Sequence, residues 1–108
     1  MSTKSQAEIL FAKHLRELGL GFAQEYSFCE RKWRWDFVLI GHRVAIEIDG
    51  YHKGRHGKGW GADNEKRNTG TMLGYRVLVF STSDVFSGKA KAFLEENLKV
   101  VSHKVSGI

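Results

Sequence analysis

Between Ser5 and Leu18 the apolar positions Ala7, Leu10, Phe11, Leu15 and Leu18 recur three and four residues apart, the spacing of one face of an α-helix. Ser5 followed by Glu8 has the form of a capping box, and Gly19 and Gly21 mark the exit. Phe22 to Phe28 reads as a strand, closed by the polar turn Cys29-Glu30-Arg31-Lys32. The segments 33–40 and 43–49 alternate apolar and polar side chains on either side of Gly41-His42. A two-residue connection that begins with glycine suits a type II′ hairpin turn. The stretch from Gly50 to Gly61 is rich in glycine and in basic residues. Residues 62–73 predict a helix, weakened by Gly70 and ended by Gly74. Tyr75 to Phe80 is a short strand, apolar apart from Arg76, and Ser83 or Asp84 is placed to cap a last helix over 89–98.

The order helix, three strands, helix, strand, helix specifies an α/β fold with a mixed sheet. Its first three strands form an antiparallel meander. The fourth follows a helical crossover and is expected to run parallel to the third, with a right-handed connection. One domain is expected over residues 1–108, with its core at about 5–98 and a C-terminal tail at 99–108.

Placing the turn at Gly41 and His42 fixes the hairpin register. Leu39 then meets Val44, Phe37 meets Ile46 and Trp35 meets Ile48, all apolar, as one core face requires. That face also takes Trp33, so both tryptophans are assigned to packing. The other face pairs Val38 with Ala45, Asp36 with Glu47 and Arg34 with Asp49. Side chains directly opposite in such a ladder have Cβ atoms about 4.5–5.5 Å apart, and two carboxylates there repel. A hard divalent cation such as Mg²⁺ relieves that repulsion, since it takes oxygen ligands from one or two carboxylates. Neutralisation by Arg34 or Arg43, or a raised pKa on one acid, relieves it equally well. Both accounts stand at this point. Asp49 has its own bland account as a salt-bridge partner of Arg34, and Glu8 as the acid of the capping box. Asp63 and Lys66, three apart on a helix, form a surface ion pair on the simplest reading.

Charge and composition narrow the partners. The 108 residues fit one small domain, and the net charge of +5 suits a polyanion such as nucleic acid. Lys53, Arg55, Lys58, Lys66 and Arg67 fall in one stretch with His52 and His56. Trp60 in this stretch reads as an anchor that pins the loop to the core, with stacking on a base or wedging a base step as the alternative. No apolar run approaches the roughly 20 residues of a membrane span, and the N-terminus lacks the apolar stretch of a secretory signal. Cys29 alone makes no internal disulfide. A soluble, cytoplasmic protein is expected. Cys29 and the histidines match no tetrahedral zinc spacing, which disfavours a structural zinc domain.

Four segments in order, Trp33-Arg34-Trp35-Asp36-Phe37, Ala45-Ile46-Glu47-Ile48-Asp49-Gly50 with His52, Asp63-Asn64-Glu65-Lys66 and Gly74-Tyr75-Arg76-Val77-Leu78-Val79-Phe80, resemble a minimal PD-(D/E)XK nuclease. The small nucleases similar to very-short-patch-repair endonucleases look closest. The resemblance implies a restriction-endonuclease-like core and a Mg²⁺-dependent endodeoxyribonuclease, with Mn²⁺ able to substitute. It implies work in DNA repair, recombination or the processing of phage or mobile-element DNA. It carries over Asp36 and Glu47 as metal ligands with the backbone carbonyl of Ile48, and Glu8 as a first-helix acid that reaches the metal through water. The family expects lysine two residues after the second acid, where this chain has Asp49, within a Glu-x-Asp-Gly form found in related small nucleases. Lys66 or His52 would then supply the missing function. Lys53, Arg55, His56, Lys58, Arg67 and Arg34 are the expected DNA contacts, and a homodimer is expected if both strands are cut. The alternative is a DNA-binding protein of the same fold that has lost cleavage.

Overall fold

The structure, a computed structural model, describes residues 2–50 and 60–98, with backbone alone for 60–63. Helix α1 spans Thr3–Glu17 and is followed by strands β1 (Phe22–Ser27), β2 (Arg34–Leu39) and β3 (Val44–Asp49). Helix α2 (Trp60–Met72) crosses to β4 (Arg76–Ser81), and helices α3 (Thr82–Phe86) and α4 (Lys89–Leu98) follow. The sheet order is β1-β2-β3-β4, antiparallel for the first two pairings and parallel for β3 with β4. This is the meander and crossover that the pattern predicts. Among the described residues no helix is long and apolar enough to cross a membrane.

The sheet is apolar on both faces, and each face has its own cover. On one, Ala7, Phe11 and Leu15 of α1, Val85 of α3 and Leu94 of α4 pack on Phe37, Leu39, Val44, Ile46 and Ile48. Phe11 meets Phe37 edge to face at 5.0 Å, the arrangement that ring quadrupoles favour. On the other, Trp35, Val38 and Ala45 form a smaller cluster with Phe28, Tyr75 and Val77. Helix α2 covers it at Gly70, where an added Cβ would lie 2.8 Å from Trp35 Cη2. The glycine that weakens the helix in isolation is what lets it approach the sheet.

Four local expectations are corrected. The cap of α1 is Ser2, whose hydroxyl accepts from Ser5 N–H at 3.1 Å, so Ser5 lies inside the helix and Glu8 is not its capping acid. The hairpin ladder closes at Leu39–Val44, and residues 40–43 form the connection. His42 N–H bonds to Leu39 O at 3.3 Å. Gly41, with φ +90°, is the third residue of that turn, where a type II turn needs positive φ. Trp35 lies on the α2 face, away from Phe37 and Ile48. Ser81 caps α3, with Asp84 as the returning acid of a capping box at 3.1 Å. Helix exits at Gly19 and Gly74 follow expectation. At each, the next residue's N–H reaches back five residues, Leu20 to Leu15 O and Tyr75 to Gly70 O, as in a Schellman motif.

Candidate functional site

Strands β2 and β3 pair through Leu39–Val44, Val38–Ala45 and Phe37–Ile46, the register read from the sequence. Beyond Phe37–Ile46 side chains take over the ladder. The carboxylate of Asp36 accepts from Ile48 N–H at 2.8 Å, and that of Glu47 accepts from Asp36 N–H at 3.2 Å. Each acid thus binds the backbone of the opposite strand. The face alternation of β2 breaks at the same place, since Trp35 and Phe37 belong to different clusters. Glu25, the β1 residue beside Asp36, has φ +51° and joins no ladder pair, although Gln24 and Tyr26 on either side do.

A lysine approaches this point from each face. Lys66 of α2 holds Glu47 Oε1 at 2.8 Å, with both side chains largely shielded from solvent (14% and 18% exposed). Its ammonium also lies 5.0 Å from the centroid of the Trp35 ring, a cation–π contact. Lys66 therefore bonds an acid of the sheet. Lys4 of α1 lies 3.4 Å from Asp36 Oδ2 and 3.6 Å from Glu8 Oε2. Burial raises the pKa of Glu47, and the negative charge of Asp36 adds to that, while the Lys66 hydrogen bond opposes it. Burial and then Asp36 raise the pKa of Glu8. Lys4 loses solvent, but Asp36 and Glu8 more than offset this and raise its pKa.

Carboxylate oxygens of Glu8, Glu25 and Asp36 lie within 4.8 Å of one another. Glu47 lies outside this group of three, so the structure adds Glu8 and Glu25 to Asp36 on one side and sets Glu47 with Lys66 on the other. Neither Lys4 nor Glu25 was among the expected residues. Glu25 had no signal of its own, because no tight turn fixes the β1–β2 register. Lys4 sits four before Glu8, a spacing that placed it on the same helix face.

The remaining expected residues divide plainly. Asp49 is exposed at the end of β3 opposite Ser81. Arg34 is exposed at the start of β2 opposite Ser27, and among the described residues no ion pair joins it to Asp49. Arg67 bonds Asn64 on its own helix at 3.3 Å. Ile48 contributes its N–H to the site. His52, Lys53, Arg55, His56 and Lys58 lie outside the described residues, as do the side chains of Trp60 and Asp63 and the tail at 99–108.

A four-stranded mixed sheet with α1, α3 and α4 on one face and the crossover helix on the other is a restriction-endonuclease-like fold. Among solved structures the chain is similar to the catalytic domain of the homing endonuclease I-Bth0305I, with a TM-score of 0.68 and 23% identity over 83% of this chain and 90% of that one. At this identity the likeness shows the fold, and the narrower resemblance to very-short-patch-repair nucleases rests on the motifs alone. No protein-family model and no curated protein matches the sequence.

Proposed function

We propose that this protein is a divalent-metal-dependent endonuclease that hydrolyses DNA phosphodiester bonds at Asp36 and Glu47. The observation that carries the reading is the end of the β2–β3 ladder at Phe37–Ile46, where two acids bond across the strands with a lysine ammonium on one of them. The fold supports it, because the similar solved domain is the catalytic domain of an endonuclease.

The donor set fits a hard cation. Glu8, Glu25 and Asp36 offer oxygen alone, with ligand atoms within 4.8 Å of each other, and the Lys4 ammonium already stands as a cation beside two of them. Asp36, Glu8 and Glu25 are the residues that would hold Mg²⁺ or Mn²⁺, with Glu47 beside them on Asp36 N–H and Lys66. When bound, the cation supplies Lewis acidity toward a phosphoryl oxygen and the attacking water. Lys66 offsets the charge that grows on the phosphoryl group, the task of an ammonium in a partly shielded site. It takes the place of the lysine that position 49 lacks. His52, three residues beyond Asp49, is placed in the chain to move a proton to the leaving oxygen. Lys53, Arg55, His56 and Lys58, with Arg34 and Arg67, contact backbone phosphates, which gives affinity that salt weakens.

Supercoiled plasmid, linear duplex, nicked and branched DNA are to be incubated with the protein in Mg²⁺, in Mn²⁺ and in chelator. Metal-dependent cutting by the wild type, absent from Asp36→Ala, is the expected result. A wild type that binds DNA with metal present and cuts none of these substrates would instead be the binding-only protein.

A further inference from the structure

The two lysines at the site hold their acids very differently. Lys66 meets Glu47 at 2.8 Å with its side chain only 14% exposed, the distance of a charge-assisted hydrogen bond. Lys4 meets Glu8 at 3.6 Å and Asp36 at 3.4 Å with its side chain 44% exposed. It bridges two acids, reaching both oxygens of Asp36 only at the outer limit of a hydrogen bond, 3.4 and 3.5 Å. Its long stem leaves from the first turn of α1 and has open solvent to swing into.

We infer that Lys4 is a tethered counter-cation of Glu8 and Asp36 that a divalent metal must displace in order to bind at Asp36. Without the metal, the Lys4 ammonium screens acids that would otherwise repel across α1 and β2. With the metal, the ammonium and the cation would claim the same carboxylate oxygens. The doubly charged ion holds them more strongly, and the loosely seated lysine leaves. Metal and ammonium are therefore linked, and whatever weakens one occupant strengthens the other. Lys66 takes no part in this exchange, because it bonds Glu47 from the opposite face of the sheet. Lys4 is a positioning residue here, acting through its acids. The inference rests on the metal reading of Asp36 given above.

Binding of Mg²⁺ and Mn²⁺ to the whole protein by titration calorimetry tests it, together with melting of the metal-free and metal-saturated forms. Four proteins are needed: wild type, Lys4→Gln, Lys13→Gln and Asp36→Asn. Lys13 lies on the same helix and pairs with Glu17 at 3.9 Å, so its replacement makes the same change in net charge elsewhere. Couplings between sites usually amount to roughly 5–150-fold, and Lys4→Gln is expected near the low end, binding metal about tenfold more tightly than wild type. Lys13→Gln binds as wild type does. Lys4→Gln also melts lower than wild type without metal, and the deficit closes at saturation. Unchanged affinity in Lys4→Gln, an equal gain in Lys13→Gln, or a deficit that persists at saturation overturns the inference while the metal reading of Asp36 survives. Wild-type metal binding by Asp36→Asn, or no binding by any of the four, removes that reading and the inference with it.

Discussion

Glu47 and Glu8 are both carboxylates that burial and a neighbouring acid push toward the protonated form, but the ammonium that resists it sits at 2.8 Å from Glu47 and at 3.6 Å from Glu8. That contrast makes their substitutions differ. Lys66→Met removes the ammonium that neutralises Glu47 and, in the proposed reaction, the charge that faces the phosphoryl group. Losing one such electrostatic group costs about 10²–10³ in turnover, so single-turnover cleavage should fall by that factor, and a loss under threefold would remove Lys66 from the chemistry. Glu8 contributes to the pH dependence. Its folded pKa lies above the ordinary 4.5, so its contribution to stability is present below 4.5 and is lost as pH rises through the folded value. Near pH 7 the ionised acid therefore costs stability, which glutamine removes. In chelator at pH 7, Glu8→Gln should melt higher than wild type by about 1–4 °C, a fraction of a kcal/mol in a domain of this size. The gain should vanish by pH 4, and a lower melting point at pH 7 would mean that the Lys4–Glu8 pair outweighs the burial.

At the scale of the elements, the contact of α2 with β2 is the joint on which the site depends. It sets Gly70 on the Trp35 ring and, one turn earlier, Lys66 over the same ring and against Glu47. Gly70→Ala must push a fully buried tryptophan or lift the helix. Overpacking of this kind costs about 1–3 kcal/mol, against which alanine returns up to about 1 kcal/mol of helix propensity. The net effect should be a lower melting point, with cleavage falling further than folding because Lys66 moves with the helix. A stabilised Gly70→Ala would contradict this packing. Much of this level was legible in advance. Alternating apolar residues around Gly41-His42 gave the β2–β3 register, since a slip by one would have set Phe37 opposite Glu47 or Leu39 opposite Arg43. The face of Trp35 was not legible, because an apolar residue satisfies a sheet with two buried faces either way. Ser2 and Ser5 are equally good caps on local chemistry, so the start of α1, and with it the freedom of Glu8, was settled by packing. The cap of α3 is legible in the sequence, since Ser81 and Asp84 have the capping-box spacing that Ser83 lacks.

Across the molecule, helices on opposite faces of one sheet each bring a lysine to the same gap between central strands, Lys4 loosely from α1 and Lys66 tightly from α2. The expected pairing of Asp36 directly opposite Glu47 is not in the ladder: each acid is tied to the opposite backbone, and Asp36 is grouped with Glu8 and Glu25 while Glu47 is held by Lys66. Glu25 required the three-dimensional path of β1, with its positive φ, and no local motif announces it. In the proposed function the net charge of +5 and the basic run after β3 would attract a polyanion at long range, while the acids would oppose it locally. Glu47→Gln separates these two effects, because it removes a negative charge from the site and leaves the basic residues in place. The decisive measurement is DNA binding and single-turnover cleavage by Glu47→Gln beside wild type in the same Mg²⁺ buffer, with melting curves to confirm folding. A folded variant that binds DNA at least as tightly as wild type and no longer cuts is the predicted result, whereas a folded variant that cuts at the wild-type rate would contradict a catalytic centre at Asp36 and Glu47.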